Sequence, residues 1–295
     1  MLGNDDVRIF ENARPNLLGI AYRILGSLAD AEDAVQDTFL KWARTDRENI
    51  KNAAAWLTTI CTRRCLDLLR SGHHSRVNYV GPWLPEPIQT PMENDAETRL
   101  VLASSLTTAF LLMLERLTPK ERAAYLLHDI FDVSYPEIAE MLNIQEGACR
   151  KLVSRAKANI EQAKVRHTTT LERQDQLLAA FRAAINSGSA AKFASLLSDD
   201  IRLSADGGGK VPTVLNVLQG KAEVLTFLLE QLHEYWIDYN WVFVDINGAR
   251  GIVLKHDGAA VAAVSFAYDE AGRVANIYIV RNPDKLVNTS VVAIR

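Results

Sequence analysis

The sequence has few cysteines and no long apolar run, and each shortage excludes a class of protein. Three cysteines in 295 residues cannot make a disulfide framework, which favours a reducing cytoplasm. The longest uncharged run, residues 100–114, is too short and too rich in Ser and Thr to span a bilayer. Charged residues interrupt any apolar start of the chain, so no signal peptide is predicted. We expect a cytoplasmic protein without membrane contact.

The sequence also lacks an excess of basic charge. It has 33 Lys and Arg residues against 36 Asp and Glu residues, a formal net charge of −3. Because affinity for DNA phosphates rises with the number of cationic contacts, such a balance is not expected to hold DNA tightly by itself. If the chain binds DNA, a dimer or a larger protein complex must supply the remaining affinity. The length of 295 residues predicts about two domains.

What the sequence does contain is a helix-turn-helix between residues 118 and 163, with both helix starts marked. Thr118-Pro119-Lys120-Glu121 and Ser134-Tyr135-Pro136-Glu137 each combine a hydroxyl N-cap, an early proline and a glutamate three residues after the cap. In such a capping box, the hydroxyl and the carboxylate satisfy amide donors that the helix leaves unpaired. The pattern predicts one helix over 134–142, a turn at 143–144 and a second helix from about Glu146.

This second helix is apolar on one face and basic on another. Its apolar residues have the i, i+3, i+4, i+7, i+11 spacing of a buried stripe: Cys149, Leu152, Val153, Ala156 and Ile160. Its basic and polar residues fall largely outside that stripe: Arg150, Lys151, Ser154, Arg155 and Lys157. A solvated face on an ordinary bundle helix would explain one such helix. Two capped helices, a short turn and a basic second helix together favour DNA binding.

The first 71 residues carry three apolar stripes at helical spacing, which predict three helices that each bury one face. The second of these helices also bears a cluster of acids, with no basic residue among them: Asp30, Glu32, Asp33 and Asp37. Acids near a helix N-terminus are favoured as solvated charges. Because like charges at this spacing repel one another, a basic protein surface is the alternative partner for them.

Beyond the third helix the pattern changes twice. Prolines between 72 and 95 predict an extended linker, and a long helix is expected over 96–117. After a second boundary at 168–170, we predict helices over 171–186, 190–197 and 221–235. One strand is predicted to end near Ala205, and others are predicted over 237–246, 251–255 with 259–268, and 274–280. This order predicts an α+β domain with a curved antiparallel sheet.

Small-ligand and catalytic signals are weak. Cys61 and Cys65 lie one helical turn apart, but no second ligand pair completes a tetrahedral metal site with His73 and His74, so we interpret them as packing residues. The Gly207-Gly208-Gly209 triplet is consistent with a phosphate-binding nest or with a structural loop. No second polar group singles out one of the candidate bases, which are Asp206, Asp238, Asp245 and His256. We therefore predict no enzyme activity, catalytic residue, cofactor or metal.

Several motifs resemble those of the extracytoplasmic-function (ECF) sigma factors of bacterial RNA polymerase. Residues 17–26, 29–37 and 55–70 resemble region two of that family, and 117–122 with 152–156 resemble region four. Three further motifs resemble a subgroup whose members carry a fused SnoaL-like domain: Trp83-Leu84-Pro85-Glu86-Pro87, Asp206-Gly207-Gly208-Gly209-Lys210 and Asn282-Pro283-Asp284-Lys285-Leu286. The resemblance covers nearly the whole chain.

The resemblance implies a multidomain protein that directs promoter-specific transcription initiation and is regulated in cis by its C-terminal domain. Its parts would be a helical region-two domain at 1–72, a Pro-rich linker at 73–95, a helix-turn-helix region-four domain at 96–166, a SnoaL-like α+β domain at 170–288 and a tail at 289–295. Core RNA polymerase and promoter DNA are the implied partners. An unidentified small-molecule ligand of the C-terminal domain is a further candidate.

It also implies four groups of site residues. Contact with the polymerase clamp would involve Asp30, Glu32, Asp33, Gln36, Asp37 and Phe39. The promoter −10 element would meet Arg44, Arg47, Asn49, Lys51, Arg63 and Arg64, although family members often carry asparagine where Arg63 stands. The −35 element would meet Glu146, Arg150, Lys151, Ser154, Arg155 and Lys157. The three subgroup motifs would be regulatory, and we hypothesise that Lys210 pairs with Asp284.

Two other functions are consistent with parts of the sequence. A free-standing, ligand-responsive regulator would use the same helix-turn-helix, dimerise and bind a palindrome unaided. That function leaves the acidic face and the N-terminal module without a role. An enzyme with a regulatory DNA-binding part would instead show turnover in the fragment from about Leu171 onward.

Overall fold

A computed structural model of the protein describes residues 3–48, 50–89, 105–162, 169–188 and 190–287, without the side chains of 72–77 and 162. The chain divides into two compact units. The described part of the first unit comprises residues 3–77 and 113–162, and that of the second comprises 78–112 and 169–287, with the gaps just given. Asn49, much of the predicted linker and the predicted tail lie outside the described residues.

Helices alone build the described part of the first unit. They are α1 (Asn4–Leu25), α2 (Leu28–Arg44), α3 (Ala53–Val77), α4 (Thr108–Leu114), whose end alone belongs here, α5 (Pro119–Tyr125), α6 (Tyr135–Leu142) and α7 (Glu146–Gln162). A π-helical turn, Leu126–Ile130, continues α5. Gly26 ends α1 in the left-handed region at φ 69°, and the Ser27 hydroxyl then accepts the Asp30 amide to start α2. Gly26 and Ser27 thus separate the first two helices.

The second unit is an α+β domain that includes residues 78–89 of the predicted linker. Its helices after the linker are α8 (Leu171–Ser187), α9 (Ala191–Ala194), α10 (Lys221–Thr226), α11 (His233–Trp236) and α12 (Pro283–Leu286). A π-helical segment, Phe227–Leu232, joins α10 to α11. Its strands are β1 (Leu197–Asp206), β2 (Leu218–Gln219), β3 (Asn240–Ile246), β4 (Ala249–His256), β5 (Ala259–Tyr268) and β6 (Val274–Val280). They form one sheet in the order β2-β1-β6-β5-β4-β3.

This sheet is mixed, so the predicted curved antiparallel sheet is wrong in one pairing. The β3–β6 meander is antiparallel, but β6 pairs with β1 in parallel, with Leu203 opposite Ile277. Helices connect β1 to the β3–β6 meander. The last strand of the meander, β6, then lies beside β1 and runs in the same direction. Strand periodicity predicts the strands but not which one becomes the neighbour of β1.

Both faces of the sheet are buried, which explains why its strands read as nearly continuous apolar runs. On β5, Val264 and Phe266 face a core shared with α8, α10 and α11. Their neighbours Ala263 and Ala267 face a second cluster, which includes Leu84 of the linker and Ala109 of α4. The linker and the start of α4 therefore cover the face of the sheet that is opposite the helical layer.

Several predicted boundaries need correction. Helix α3 continues to Val77, five residues past the expected boundary at 72, because a glycine costs a started helix only about 1 kcal/mol and the first proline comes at Pro82. Residues 105–107 form a turn before α4, so the long helix expected over 96–117 does not include them. The expected helix at 190–197 shortens to Ala191–Ala194. Residues 237–239 follow a helix end as a turn, because the Tyr239 amide donates to the Trp236 carbonyl.

Candidate functional site

Two capping boxes shape the helix-turn-helix as the sequence predicts. Glu121 accepts from the amide of Thr118 at 3.1 Å, and Glu137 accepts from the amide of Ser134 at 3.1 Å. Asn143 makes the turn in the left-handed region at φ 50°. On the recognition helix α7 the predicted stripe is buried except for Leu152, which is half-buried. The opposite face is exposed, as a groove-binding helix requires.

Three cations of the recognition helix are paired with acids of the same module. Arg150 donates to Glu146 at 2.6 Å and stacks over the Tyr135 ring at 4.3 Å. Arg155 lies 3.5 Å from Glu121, and Lys157 bonds to Asp129 at 2.7 Å. The Asp129 carboxylate raises the pKa of Lys157, so this ammonium stays charged. DNA phosphates must compete with these carboxylates for the three cations.

Lys151 and Ser154 are the other two outward residues of that helix. Both are exposed, and neither makes an ion pair or a side-chain hydrogen bond within the described parts of the chain. Of the predicted −35 residues, these two can meet a base edge without breaking an internal contact. Sequence periodicity could not separate them from Arg155 and Lys157, because all four lie outside the apolar stripe.

The acidic face lies on α2. Asp30, Glu32, Asp33 and Gln36 are exposed there, whereas Asp37 bonds to Arg64 of α3 at 2.7 Å. Phe39 is half-buried, and its ring packs on that of Phe10 at 4.8 Å. Four of the polar residues that are predicted to contact RNA polymerase thus lie together on the surface, and Phe39 lies at the edge of the core.

The predicted −10 residues are dispersed. Arg44 and Lys51 are exposed at the two ends of the α2–α3 connection, and Asn49 lies outside the described residues. Arg47 instead binds Asp6 at 3.2 Å and stacks over Trp42. Arg63 donates to two backbone carbonyls of the helix-turn-helix, those of Glu140 and Met141.

The three predicted regulatory motifs converge on one buried carboxylate. Asp206 is fully buried and accepts from the Tyr79 hydroxyl at 2.5 Å, the Leu84 amide at 2.9 Å, the Gly208 amide at 3.0 Å and the Lys285 ammonium at 2.7 Å. We call this set, with Asn282, the linker clamp. Because each donor comes from a different motif or from Tyr79 beside one, the carboxylate ties the linker to the end of the chain.

Lys285 and Tyr79 make further contacts within the linker clamp. Lys285 also donates to the Leu84 carbonyl at 2.6 Å, and its ammonium lies 4.4 Å from the centre of the Trp83 ring. Asn282 donates to the Tyr79 hydroxyl at 2.8 Å. Burial and the hydrogen bond to Asp206 raise the pKa of Tyr79, so its hydroxyl stays protonated and can donate. Sequence analysis missed Tyr79, because it lies four residues before the nearest motif.

The glycine triplet lets the chain approach the clamp closely. Gly208 has φ 59°, and a Cβ there would clash with the side-chain nitrogen of Asn282. A Cβ on Gly209, at φ 71°, would lie 3.1 Å from Val80 of the linker. The hypothesised pair Lys210–Asp284 is present at 2.5 Å, with 52% and 63% of the two side chains exposed. The triplet is therefore a contact loop, which favours the structural interpretation over the phosphate nest.

A second contact fixes the linker further along. The Ile88 amide donates to the Asn247 side chain at 2.9 Å, and the Asn247 amide donates back to the Ile88 carbonyl at 2.9 Å. Ile88 is fully buried. Asn247-Gly248 forms the turn between β3 and β4, and this local turn pattern does not show that Asn247 also binds the linker.

The candidate catalytic residues do not converge. The Asp206 carboxylate accepts hydrogen bonds within the linker clamp, and the Asp245 carboxylate pairs with Arg250 at 2.8 Å. Asp238 and His256 are exposed. Within the described ranges, no group of three potential metal ligands occurs, and no helix is long and apolar enough to cross a membrane.

The two predicted packing cysteines are buried in the first unit. Burial, with the contact to Cys61, raises the pKa of the Cys65 thiol well above its usual value. A protonated, buried thiol is neither a metal ligand nor a nucleophile.

Comparison with known proteins agrees with this geometry. Residues 9–75 match sigma-70 region 2, and residues 107–160 match sigma-70 region 4. The chain is 34% identical to the ECF RNA polymerase sigma factor SigJ of Mycobacterium tuberculosis (strain ATCC 25618 / H37Rv), over 96% of this chain and 94% of that one. The ferric citrate uptake sigma factor FecI of Escherichia coli (strain K12) is 32% identical over 45% of this chain and 76% of its own length. A crystal structure of the M. tuberculosis SigJ superposes with a TM-score of 0.75 at 32% identity, over 97% of this chain and all (100%) of that chain.

Proposed function

This chain belongs to the ECF family of RNA polymerase sigma factors, and on that premise we propose that its C-terminal domain regulates it in cis by holding the linker between regions two and four. As a sigma factor, it binds core RNA polymerase and directs promoter-specific transcription initiation. The observation that carries the proposal is the linker clamp, in which a fully buried Asp206 holds Tyr79, Leu84 and Lys285.

The distance between the two promoter elements shows how the linker clamp could affect promoter binding. Elements centred near −35 and −10 are about 25 base pairs apart, roughly 85 Å at about 3.4 Å per base pair. While the linker is docked, Leu84 and Ala109 lie in one cluster on one face of the sheet. A domain of this size is only about 40 Å across, since its radius of gyration is about 15 Å. A docked linker therefore holds Leu84 and Ala109 much closer together than the two promoter elements, and its release favours promoter binding.

The interior of the C-terminal domain supports regulation by contact rather than by catalysis. Aromatic side chains fill the space between sheet and helices: Phe181, Phe193, Trp236, Trp241 and Phe266. Their rings pack at centroid distances of 5.3–6.2 Å. We propose that this domain acts without turnover, and that any small-molecule ligand acts by shifting the clamp equilibrium.

We assign the surfaces as follows. The exposed face of Asp30, Glu32, Asp33 and Gln36 binds the polymerase clamp, since three of these four exposed residues are acids. The exposed part of the recognition helix, led by Lys151, reads the −35 element. Arg44 and Lys51 contact the −10 element. Both partners are cytoplasmic, and we propose the same location for this chain.

Hydrogen exchange tests the linker proposal directly. The amides of Leu84 and Ile88 are bonded to side chains of the C-terminal domain, so they exchange slowly in the free chain. We expect that protection to be lost when core polymerase and promoter DNA are added, while amides inside β5 remain protected as the control. Protection of Leu84 and Ile88 that persists in the promoter complex contradicts the proposal.

A gel-shift assay with and without core polymerase distinguishes a sigma factor from a free-standing regulator. A sigma factor shifts a promoter duplex only when core is present, because its own charge balance gives weak phosphate binding. Tight, specific binding of a palindrome by the chain alone would favour the free-standing regulator.

A further inference from the structure

Among the described residues of the first unit, three arginine side chains bridge regions two and four. Arg122 of region four is buried and donates to the Ile24 carbonyl at 2.6 Å. Arg63 of region two donates to the Met141 carbonyl at 2.8 Å and to the Glu140 carbonyl at 3.0 Å. Arg23 of region two lies over the ring of Phe131 at 5.2 Å.

Two of these bridges are reciprocal helix caps. Ile24 lies in the last turn of α1, and Met141 lies in the last turn of α6. The final carbonyls of a helix lack intrahelical partners and carry its negative dipole end, so a guanidinium there satisfies both needs. Each module thus supplies an arginine that caps a helix of the other. Because bonds of this kind need contact, regions two and four touch in the free chain.

Touching modules cannot serve both promoter elements. The elements lie roughly 85 Å apart along the duplex, whereas Arg63 places region two on the last turn of the first helix of the helix-turn-helix. That turn leads directly to the recognition helix, whose N-terminal residues contact base edges in this motif. Promoter binding therefore requires the two modules to separate.

We propose that Arg63 is a releasable latch that holds regions two and four together in the free sigma factor. Its residue is exposed, and water can replace it at the Met141 and Glu140 carbonyls, so release leaves no buried charge unpaired. Arg122 is the second cap, and on separation it keeps its ion pair with Glu115 of its own module, at 2.7 Å. Both caps therefore part reversibly, and Arg63 is the one that substitution can remove without creating a buried defect.

The latch also gives Arg63 a role that an asparagine at this position would not have. An asparagine side chain is too short to reach both carbonyls from α3. Arg63→Asn therefore removes the latch with a residue that an exposed helix position tolerates at a small loss of helix propensity. Arg63→Lys keeps the charge near the helix end but loses the forked geometry that contacts two acceptors.

Single-molecule energy transfer on the full chain tests the latch. Dyes are attached at Lys41 on α2 and Asn159 on α7 through introduced non-natural residues; both positions are exposed, and the three native cysteines are buried. We expect one compact population in the wild type. Arg63→Asn should raise the open-to-closed ratio about tenfold, which corresponds to about 1.4 kcal/mol. Arg63→Lys should fall between them.

The matched control is Arg70→Asn. Arg70 lies on the same helix, and among the described residues its bonds stay within that helix, to Asp67 at 2.5 Å and to the Leu66 carbonyl at 3.3 Å. It should leave the distribution unchanged. A distribution for Arg63→Asn that matches the wild type, at unchanged thermal stability, overturns the proposal. So does lowered thermal stability with no change in module separation, which a purely structural role would produce.

The outcome is independent of the linker proposal. The Lys285 contacts with Asp206, Leu84 and Trp83 lie within the second unit, whereas the Arg63 bonds lie within the first, so we expect Lys285→Met to leave the Arg63 bonds in place. Hydrogen exchange at Leu84 reports on the linker, and dye separation reports on the latch. A failure of one experiment therefore leaves the result of the other intact.

Discussion

Lys285→Met is the sharpest perturbation of the linker clamp. It removes the ammonium that bonds to Asp206 at 2.7 Å but keeps a long, flexible apolar side chain of similar length. Asp206 has no exposed surface, and the Lys285 side chain is only 12% exposed. The substitution therefore leaves a buried carboxylate without its countercharge.

The magnitude follows from the remaining donors. Removing one partner of a buried ion pair costs about 3–5 kcal/mol. Asp206 keeps three donors, from Tyr79, Leu84 and Gly208, so we expect the lower end, about 3 kcal/mol. Lys210→Met is the matched control. Its pair with Asp284 is more than half exposed, at 52% and 63%, and such pairs contribute about 0.2–1 kcal/mol.

Urea unfolding of the full chain, followed by the fluorescence of its tryptophans, measures this difference. We expect the transition of the second unit to shift strongly to lower urea in Lys285→Met and only slightly in Lys210→Met. Hydrogen exchange at Leu84 should accelerate in the first variant and not in the second. Equal effects of the two substitutions would refute the assignment of Asp206–Lys285 as the central clamp bond. The charge-swapped Lys210→Asp/Asp284→Lys variant should regain whatever each single change loses.

Three further outcomes are expected. Lys151→Ala should weaken promoter binding by the holoenzyme by roughly 1–3 kcal/mol in a mobility-shift assay, since it is a free base-reading candidate; unchanged affinity would exclude that role. Asp33→Lys should abolish co-purification with core while circular dichroism stays unchanged, and retained binding would exclude the acidic face. The pKa of Lys157 is raised above its usual 10.5 by Asp129. The stability from that pair is therefore full below about pH 10.5 and lost as pH rises further, and Lys157→Met should remove this pH dependence of the urea midpoint.

Local chemistry predicted much of the fold. The boxes at Thr118 and Ser134 fixed two helix starts, because a cap and its glutamate lie three residues apart and need no distant partner. Asn247-Gly248 and Asp257-Gly258 are likewise residue pairs typical of hairpin turns, and Asn247 and Asp257 take positive φ there, at 53° and 49°. Such signals are complete within a few residues.

Contacts between residues that lie far apart along the chain could not be predicted from the sequence. The parallel partnership of β1 with β6 depends on how a crossover helix returns the chain, which strand periodicity does not encode. Arg63 looked like a DNA contact, yet it bonds to carbonyls 77 and 78 residues away. Nothing near Tyr79 indicated its bond to Asp206, which lies 127 residues away. In each case the partner lies far along the chain, and the local pattern does not identify it.

Run-off transcription by purified core polymerase, with this chain as the only sigma factor, tests the central claim most directly. We expect a discrete transcript that requires both proteins, and more of it from Lys285→Met than from the wild type when core is limiting, because the linker is released. The Lys210→Met variant should match the wild type. Equal transcript from Lys285→Met and the wild type would contradict regulation through the linker clamp, and no core-dependent transcript would contradict initiation itself.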